Sequence, residues 1–131
     1  MQKLNSFEYR VYYEDTDAGG VVYYANYLKF FERARTDFLR QIGISQIELA
    51  KNENLLFVVR KCEIEYLSPA RLDDLIEVFV EVVEARLVSI IMKQEIRKSD
   101  LILSTLTVEI VCVGSDNFKV KKIPDKIREI L

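Results

Sequence analysis

The sequence predicts an α+β fold, a single curved antiparallel sheet wrapped around one long helix. Three observations predict it. A short alternating stretch near the N-terminus leads into a long, aromatic-rich helical pattern. Four strand patterns then follow one another with no helix between them, the order of an antiparallel sheet and not of a parallel one. The helix carries a broad apolar stripe, and only a sheet of that size could cover it. A chain of 131 residues suits one domain, spanning residues 1–131.

Each element is justified in turn. From Phe7 to Glu14 the chain alternates, with Phe7, Tyr9, Val11 and Tyr13 on one side and Glu8, Arg10, Tyr12 and Glu14 on the other. Period two with aromatic and branched residues reads as a strand. "DTDAGG" breaks it, because Asp and Gly favour turns. A helix is expected from Tyr24 or Ala25 to Ile42, where Tyr27, Phe30, Phe31, Ala34, Phe38 and Ile42 recur at helical spacing. Gly43 fits the position just past a helix end. Ser45 and Glu48 have capping-box spacing, so "SQIELAKNE" opens a second, short helix. "LLFVVRKCEIEYL" reads as one long strand, ended by "SPA". "LIEVFVEVVEAR" sets Ile76, Val78, Val80 and Val82 against Glu77, Phe79, Glu81 and Val83. "VSIIMKQEIRK" is a third, turned at Ser99-Asp100, and "LILSTLTVEIVCVG" a fourth, leaving at Gly114 to Asn117. The tail "IPDKIREIL" reads as a helical turn or two. The four late strands are expected to form a meander. Phe79 and Val83 make the outer face of the sheet partly apolar, which predicts association between subunits.

Composition excludes several functions. Half the residues are apolar and 31% are charged, a globular balance. The net charge of -2 gives no field to attract nucleic acid or an anionic membrane. The sequence contains no histidine, which excludes Ser-His-Asp, Cys-His and zinc-hydrolase chemistry within one chain. Cys62 and Cys112 are expected as buried thiols in strands, not as a disulfide or metal pair. "MQKLNSFEYRVYYEDTD" has no apolar signal region, and no apolar run is long enough to span a bilayer. A cytoplasmic location without membrane insertion is the expectation.

The chemistry concentrates in "YYEDTDAGGVVYYANYLKFFERAR", Tyr12 to Arg35. A strand delivers Asp17 into a loop, where Gly19 and Gly20 let the backbone approach a ligand. The helix then begins near Tyr24 with unpaired amides and a partial positive charge. A carboxylate beside free amide donors suits attack on a carbonyl, since amides stabilise the developing oxyanion. Two other readings of the acids stand beside this one. Asp15 and Asp17 could fix a tight turn, or form a D-x-D metal site, although the rest of a phosphatase-like or calcium-loop pattern is missing.

The same stretch resembles the signature of the hotdog-fold acyl-CoA thioesterases of the 4-hydroxybenzoyl-CoA thioesterase family. Its nearest branch in resemblance is the YbgC-type, the Tol-Pal-associated acyl-CoA thioesterases. The likeness continues in "FVVRKCEIEYLSPARLDDLIEV" and "VEIVCVGSDNFKVKKIP" and covers nearly the whole chain. It implies hydrolysis of acyl-CoA to acid and CoA with no cofactor, and a homodimer or homotetramer with its site between subunits. It implies that Asp17 is the nucleophile or general base and that the amide near Tyr24 polarises the thioester carbonyl. It also implies substrate-binding roles for Tyr13, Gly20, Val21 and Ser68, and for Arg86 and Ser89 in "EARLVSI". Tyr13 reads equally as a core aromatic on the inward strand face.

One position departs from the branch. Its usual "GVVYH" is "GVVYY" here, with Tyr24 where histidine stands. The hydroxybenzoyl branch resembles this chain in that tyrosine. A tyrosine, with an ordinary pKa of about 10, does not serve as a base at neutral pH as histidine does. The backbone role survives, because any residue but proline supplies an amide. Of the basic cluster that the hydroxybenzoyl branch uses for CoA phosphates, only Arg86 remains. Arg60, Lys61, Arg71 and Lys93 are either further phosphate contacts or solvated charges. Weak nucleotide anchoring and an acyl group carried on acyl carrier protein both fit. Glu32, Arg33 and Arg35 on the long helix are expected to form a structural ion pair.

Overall fold

A computed structural model describes residues 5–131 of the chain. Its elements are β1 (Asn5–Arg10), α1 (Tyr27–Gln41), α2 (Gln46–Glu53), β2 (Leu55–Tyr66), β3 (Leu75–Ala85), β4 (Ser89–Lys98), β5 (Leu101–Gly114) and α3 (Asp125–Arg128). Short 3-10 turns at Tyr13–Asp15 and Tyr24–Asn26 lie between β1 and α1. The first four residues of the expected domain lie outside the described residues.

The strands form one antiparallel sheet in the order β1-β3-β4-β5-β2. Three late strands, β3, β4 and β5, are the expected meander. The fourth departs from it. β2 precedes β3 in the chain but pairs with β5, at the far edge of the sheet. The long crossing is made by the Leu67–Asp74 segment, which carries Pro69 and so cannot continue β2 into a hairpin.

α1 lies across β1, β3 and β4. Phe30, Phe31 and Ala34 are buried against Ile76, Val78 and Met92, the inward residues of the alternating strands. Ala34 has no side chain beyond Cβ, which lets the helix approach the sheet closely. Two polar pins fix the helix. The Tyr9 hydroxyl on β1 donates to Asp37. The buried Gln94 amide on β4 donates to the Phe31 carbonyl at 2.9 Å and accepts from Arg35 at 3.0 Å.

The helix ends where the sequence marks it. Gly43 has a φ of 95°, and the Ile44 and Gly43 amides return to the Leu39 and Arg40 carbonyls at 2.8 and 3.0 Å. This is the 6→1, 5→2 pair of a Schellman stop. Ser45 caps α2, its hydroxyl accepting from the Glu48 amide at 3.3 Å.

Four local expectations are corrected. The first strand stops at Arg10, not Glu14, because the Val11 amide turns to the Asp74 carbonyl and the chain enters a 3-10 turn. Tyr13 is thereby 82% exposed and not a core aromatic. Cys62 is exposed while Cys112 is buried, since β2 is an edge strand and β5 is central. No salt bridge joins Glu32, Arg33 and Arg35 among the described residues. Glu32 accepts from Thr36, Arg33 lies 5.5 Å from the Phe30 ring centroid, and Arg35 bonds Gln94. Burial draws the Arg35 guanidinium below its ordinary pKa, against the opposing pull of Glu32.

Candidate active site

The segment after β1 folds back on itself. Thr16 and Val22 face each other in an antiparallel bridge, and the Asp17 amide donates to the Val21 carbonyl at 2.9 Å. At the tip, the Gly20 amide donates to the Asp17 carbonyl at 3.1 Å. Gly20 has a φ of 76°, a backbone state that glycine adopts without strain. Gly19 is tight for another reason, because an added Cβ would stand 3.3 Å from Asp17 Oδ1. Sequence reasoning thus put both glycines in the right turn.

The two aspartates differ. Asp15 is buried, and its Oδ2 accepts from the Tyr12 amide at 2.8 Å. Its backbone carbonyl accepts from the Tyr23 amide at 3.1 Å and from the Asn26 side chain at 2.9 Å. Asp15 therefore ties the loop to the start of the helix. Asp17 is exposed, and its Oδ1 accepts from the Gly19 amide at 2.8 Å. The turn-fixing reading is therefore present at both acids. Among the described residues no hydrogen bond to Asp17 Oδ2 is formed, so that oxygen is open to a ligand.

Tyr24 opens the 3-10 turn that runs into α1. The Asn26 amide bonds the Tyr23 carbonyl at 2.8 Å, and the Tyr27 amide bonds that of Tyr24. The amides of Tyr24 and Ala25 precede the first such bond and donate to no backbone carbonyl among the described residues. They are the free donors that the sequence placed near Tyr24.

A cleft of about 280 Å³ opens beside them, lined by Val22, Tyr24, Tyr27, Tyr66, Leu67 and Ser68. The hairpin and this cleft share their walls. Val21 bridges Arg71, the Val22 amide bonds the Ala70 carbonyl at 2.8 Å, and the Leu72 amide bonds the Gly20 carbonyl at 3.3 Å. Asp17, Gly20, Val21, Tyr24 and Ser68 thus share one neighbourhood. Tyr27 and Tyr66 were missed by sequence reasoning. Tyr27 was read only as core, and Tyr66 only as part of the long strand ended by "SPA". The Tyr27 hydroxyl accepts from the Ala70 amide at 3.0 Å.

Arg86 and Ser89 lie elsewhere. Arg86 lies in the loop that joins the far ends of β3 and β4, and Ser89 is the first residue of β4, both the 11-residue length of β3 away from the Asp17 hairpin. At about 3.3 Å per residue the strand between them runs up to roughly 33 Å. Arg86 Nε pairs with Glu84 at 2.8 Å, and its Nη1 lies 3.8 Å from Glu109. Arg60 holds the same Glu109 oxygen at 2.8 Å. Arg60 chiefly keeps the Glu109 carboxyl below its ordinary range; desolvation opposes it, and Ser89 and Arg86 reinforce it. Ser89 itself is buried.

A larger cleft of about 370 Å³ lies between α2 and α3, lined by Ile44, Glu48, Leu49, Lys126 and Ile127. None of the candidate catalytic or substrate-binding residues lines it. Among the described residues no group of three or more Cys, Asp or Glu is arranged to hold a metal, so the D-x-D acids do not form such a group. No helix among them is long and apolar enough to cross a membrane.

Comparison with known proteins bears on this arrangement. Residues 11–131 match the thioesterase-like superfamily. The chain is 46% identical to the acyl-CoA thioesterase YbgC of Haemophilus influenzae, over 94% of its own length and 90% of the relative's. It is likewise 46% identical to the acyl-CoA thioester hydrolase YbgC of Escherichia coli O6:H1, over 90% of this chain and 88% of that one. A probable thioesterase from Bartonella henselae has a similar solved structure, with a TM-score of 0.88 and 38% identity, covering 93% of this chain and all of that one.

Proposed function

This chain belongs to the thioesterase-like superfamily and is a thioester hydrolase of the hotdog fold, and from that footing we propose that it cleaves acyl-CoA to a free carboxylic acid and CoA with Asp17 as the reacting carboxylate. In one form Asp17 takes a proton from water, and the water oxygen bonds to the thioester carbon. In the other its own oxygen attacks, and water then cleaves the mixed anhydride. Either way the carbonyl oxygen becomes an oxyanion, donors at the helix opening stabilise it, and the sulfur leaves as a thiolate that takes up a proton.

A single observation carries this reading. Two amides without backbone partners open the helix just after the hairpin that presents an exposed carboxylate with one uncommitted oxygen. No histidine is present to take the proton, so Asp17 must act with amides and water. Tyr13, Gly20, Val21 and Ser68 would line the acyl and pantetheine path.

The exposure of Asp17 in a single chain supports a homo-oligomer in which a second copy covers the site. A groove of about 390 Å³ between α1 and the edge strand β2, lined by Leu39, Phe57, Val59 and Ile110 together with Glu32 and Arg35, gives that copy a part-apolar surface to cover. With Arg86 already paired to Glu84, nucleotide anchoring is weak, which keeps acyl carrier protein in view as a second carrier of the acyl group.

The test is thiol release over a panel of acyl-CoA and acyl-carrier substrates. Wild type should turn over at least one acyl-CoA, and Asp17→Asn should lower kcat by at least a hundredfold, the scale typical of a lost catalytic group (~10²–10⁴). Binding of acyl-CoA without turnover by the wild type would replace the enzyme with a non-catalytic acyl-thioester scaffold.

A further inference from the structure

Asn26 stands immediately before α1, where an asparagine side chain commonly caps the helix by accepting a backbone amide. It does not cap this one. Its backbone is already helical, with a φ of -73° and a ψ of -17°, and its side chain makes no capping bond. The half-buried side chain reaches backwards instead, and its Nδ2 donates to the Asp15 carbonyl at 2.9 Å, across 11 residues of chain. The reaction as proposed above gives this side chain no part.

That bond joins two pieces of the candidate site that lie on different elements. Asp17 rides on the hairpin, and the Tyr24 amide rides on the turn that opens the helix. On the hairpin side, buried Asp15 is fixed through its Oδ2, which accepts the Tyr12 amide at 2.8 Å, and Asp17 follows two residues on. On the helix side, the Asn26 amide bonds the Tyr23 carbonyl at 2.8 Å, so Asn26 moves with the turn that presents the Tyr24 N–H. Two donors therefore converge on the Asp15 carbonyl, the Asn26 side chain and the Tyr23 amide at 3.1 Å, and they fill its two acceptor sites. A single bond would let the hairpin pivot about it. The second donor, three residues further along the turn, removes that freedom. The bonds that Gly20 and Val22 make run to the Leu67–Asp74 segment and not to the helix.

We infer that Asn26 is a positioning residue for thioester hydrolysis, whose side chain, together with the Tyr23 amide, sets the separation between the Asp17 carboxylate and the Tyr24 amide. The inference rests on the reading of Asp17 as the reacting carboxylate.

The experiment compares wild type, Asn26→Ala, Asp17→Asn and the double variant in steady-state acyl-CoA hydrolysis, with urea unfolding of each to show that it is folded under assay conditions. Asn26→Ala should lower kcat by about tenfold, since a misplacement of 1 Å costs on the order of a hundredfold and the Tyr23 bond still limits the shift. KM should stay within about twofold, because the cleft walls at Val22, Tyr66 and Leu67 are untouched. In the Asp17→Asn background the same change should cost less than about twofold, because no carboxylate remains to be placed. A merely structural role would lower activity by the same factor in both backgrounds. If the alanine protein is unfolded, Asn26→Ser, which retains a polar side chain but is too short to span the gap, carries the same expected split. A kcat within about twofold of wild type, an effect confined to KM, or an equal loss in both backgrounds would overturn the role of Asn26. Full turnover by Asp17→Asn would instead overturn the parent reading, whatever Asn26 does.

Discussion

At the scale of the residue, Tyr24 separates what a side chain does from what a backbone does. Its ring is exposed and packs on Tyr23 at 4.9 Å, and its carbonyl is held by Tyr66. The residue contributes to the proposed reaction through its peptide units. Tyr24→Phe keeps those units and the ring, so kcat should fall by less than about tenfold, well short of Asp17→Asn. Parallel kinetics on the two variants check this. A loss as large as that of Asp17→Asn would give the Tyr24 hydroxyl the role that the backbone is assigned here. The sequence made the loop that carries Asp17 legible, because Asp and Gly in "DTDAGG" favour a turn. It did not make legible which acid is buried. That depends on the chain leaving β1 at Arg10, which draws Asp15 inward to the Tyr12 amide. Tyr66 was invisible for a similar reason: nothing local says that the last residue of a strand reaches a carbonyl 42 positions away.

At the scale of the element, local signals were read well wherever local chemistry decides the structure. Gly43 ends α1 and Ser45 caps α2. The start of α1 was read too early, because the 3-10 turn over Tyr24–Asn26 carries the same apolar spacing as the helix it leads into. The ion pair expected on α1 failed because Arg35 faces β4, where Gln94 offers an amide, and not its neighbours along the helix. Gly43 gives the sharpest test. A Cβ there meets no atom within 4 Å, so Gly43→Ala introduces no clash. What it introduces is a non-glycine residue at a φ of 95°. The cost of a left-handed backbone, roughly 1–2 kcal/mol, should appear in urea unfolding as a lower midpoint with an unchanged slope. Turnover of the folded enzyme should be unaltered, since Gly43 stands at the end of α1 opposite the Tyr24 turn. A midpoint equal to wild type would mean that the Schellman stop relaxes without strain.

At the scale of the whole molecule, a sheet order of β1-β3-β4-β5-β2 separates residues that the sequence grouped as one site. Spacing along a chain does not say which end of a sheet a loop occupies, and Arg86 sits at the end opposite Asp17. If both serve one acyl-CoA, they must come from different copies of the chain. A two-fold dimer makes this measurable, because each site would take Asp17 from one copy and Arg86 from the other. Arg86→Ala should raise KM for acyl-CoA, and Asp17→Asn should abolish turnover. A mixed dimer of the two variants then has one site with both defects and one with neither. Random mixing gives half of the dimers that form, so about a quarter of wild-type activity should return at low substrate. Differently tagged copies, co-expressed and purified through both tags, isolate the mixed dimer and remove the statistics. Activity in that species no greater than the mean of its parents would place Arg86 and Asp17 in separate roles. An unchanged KM in Arg86→Ala would leave the pairing of that guanidinium with Glu84 and Glu109 as its whole function.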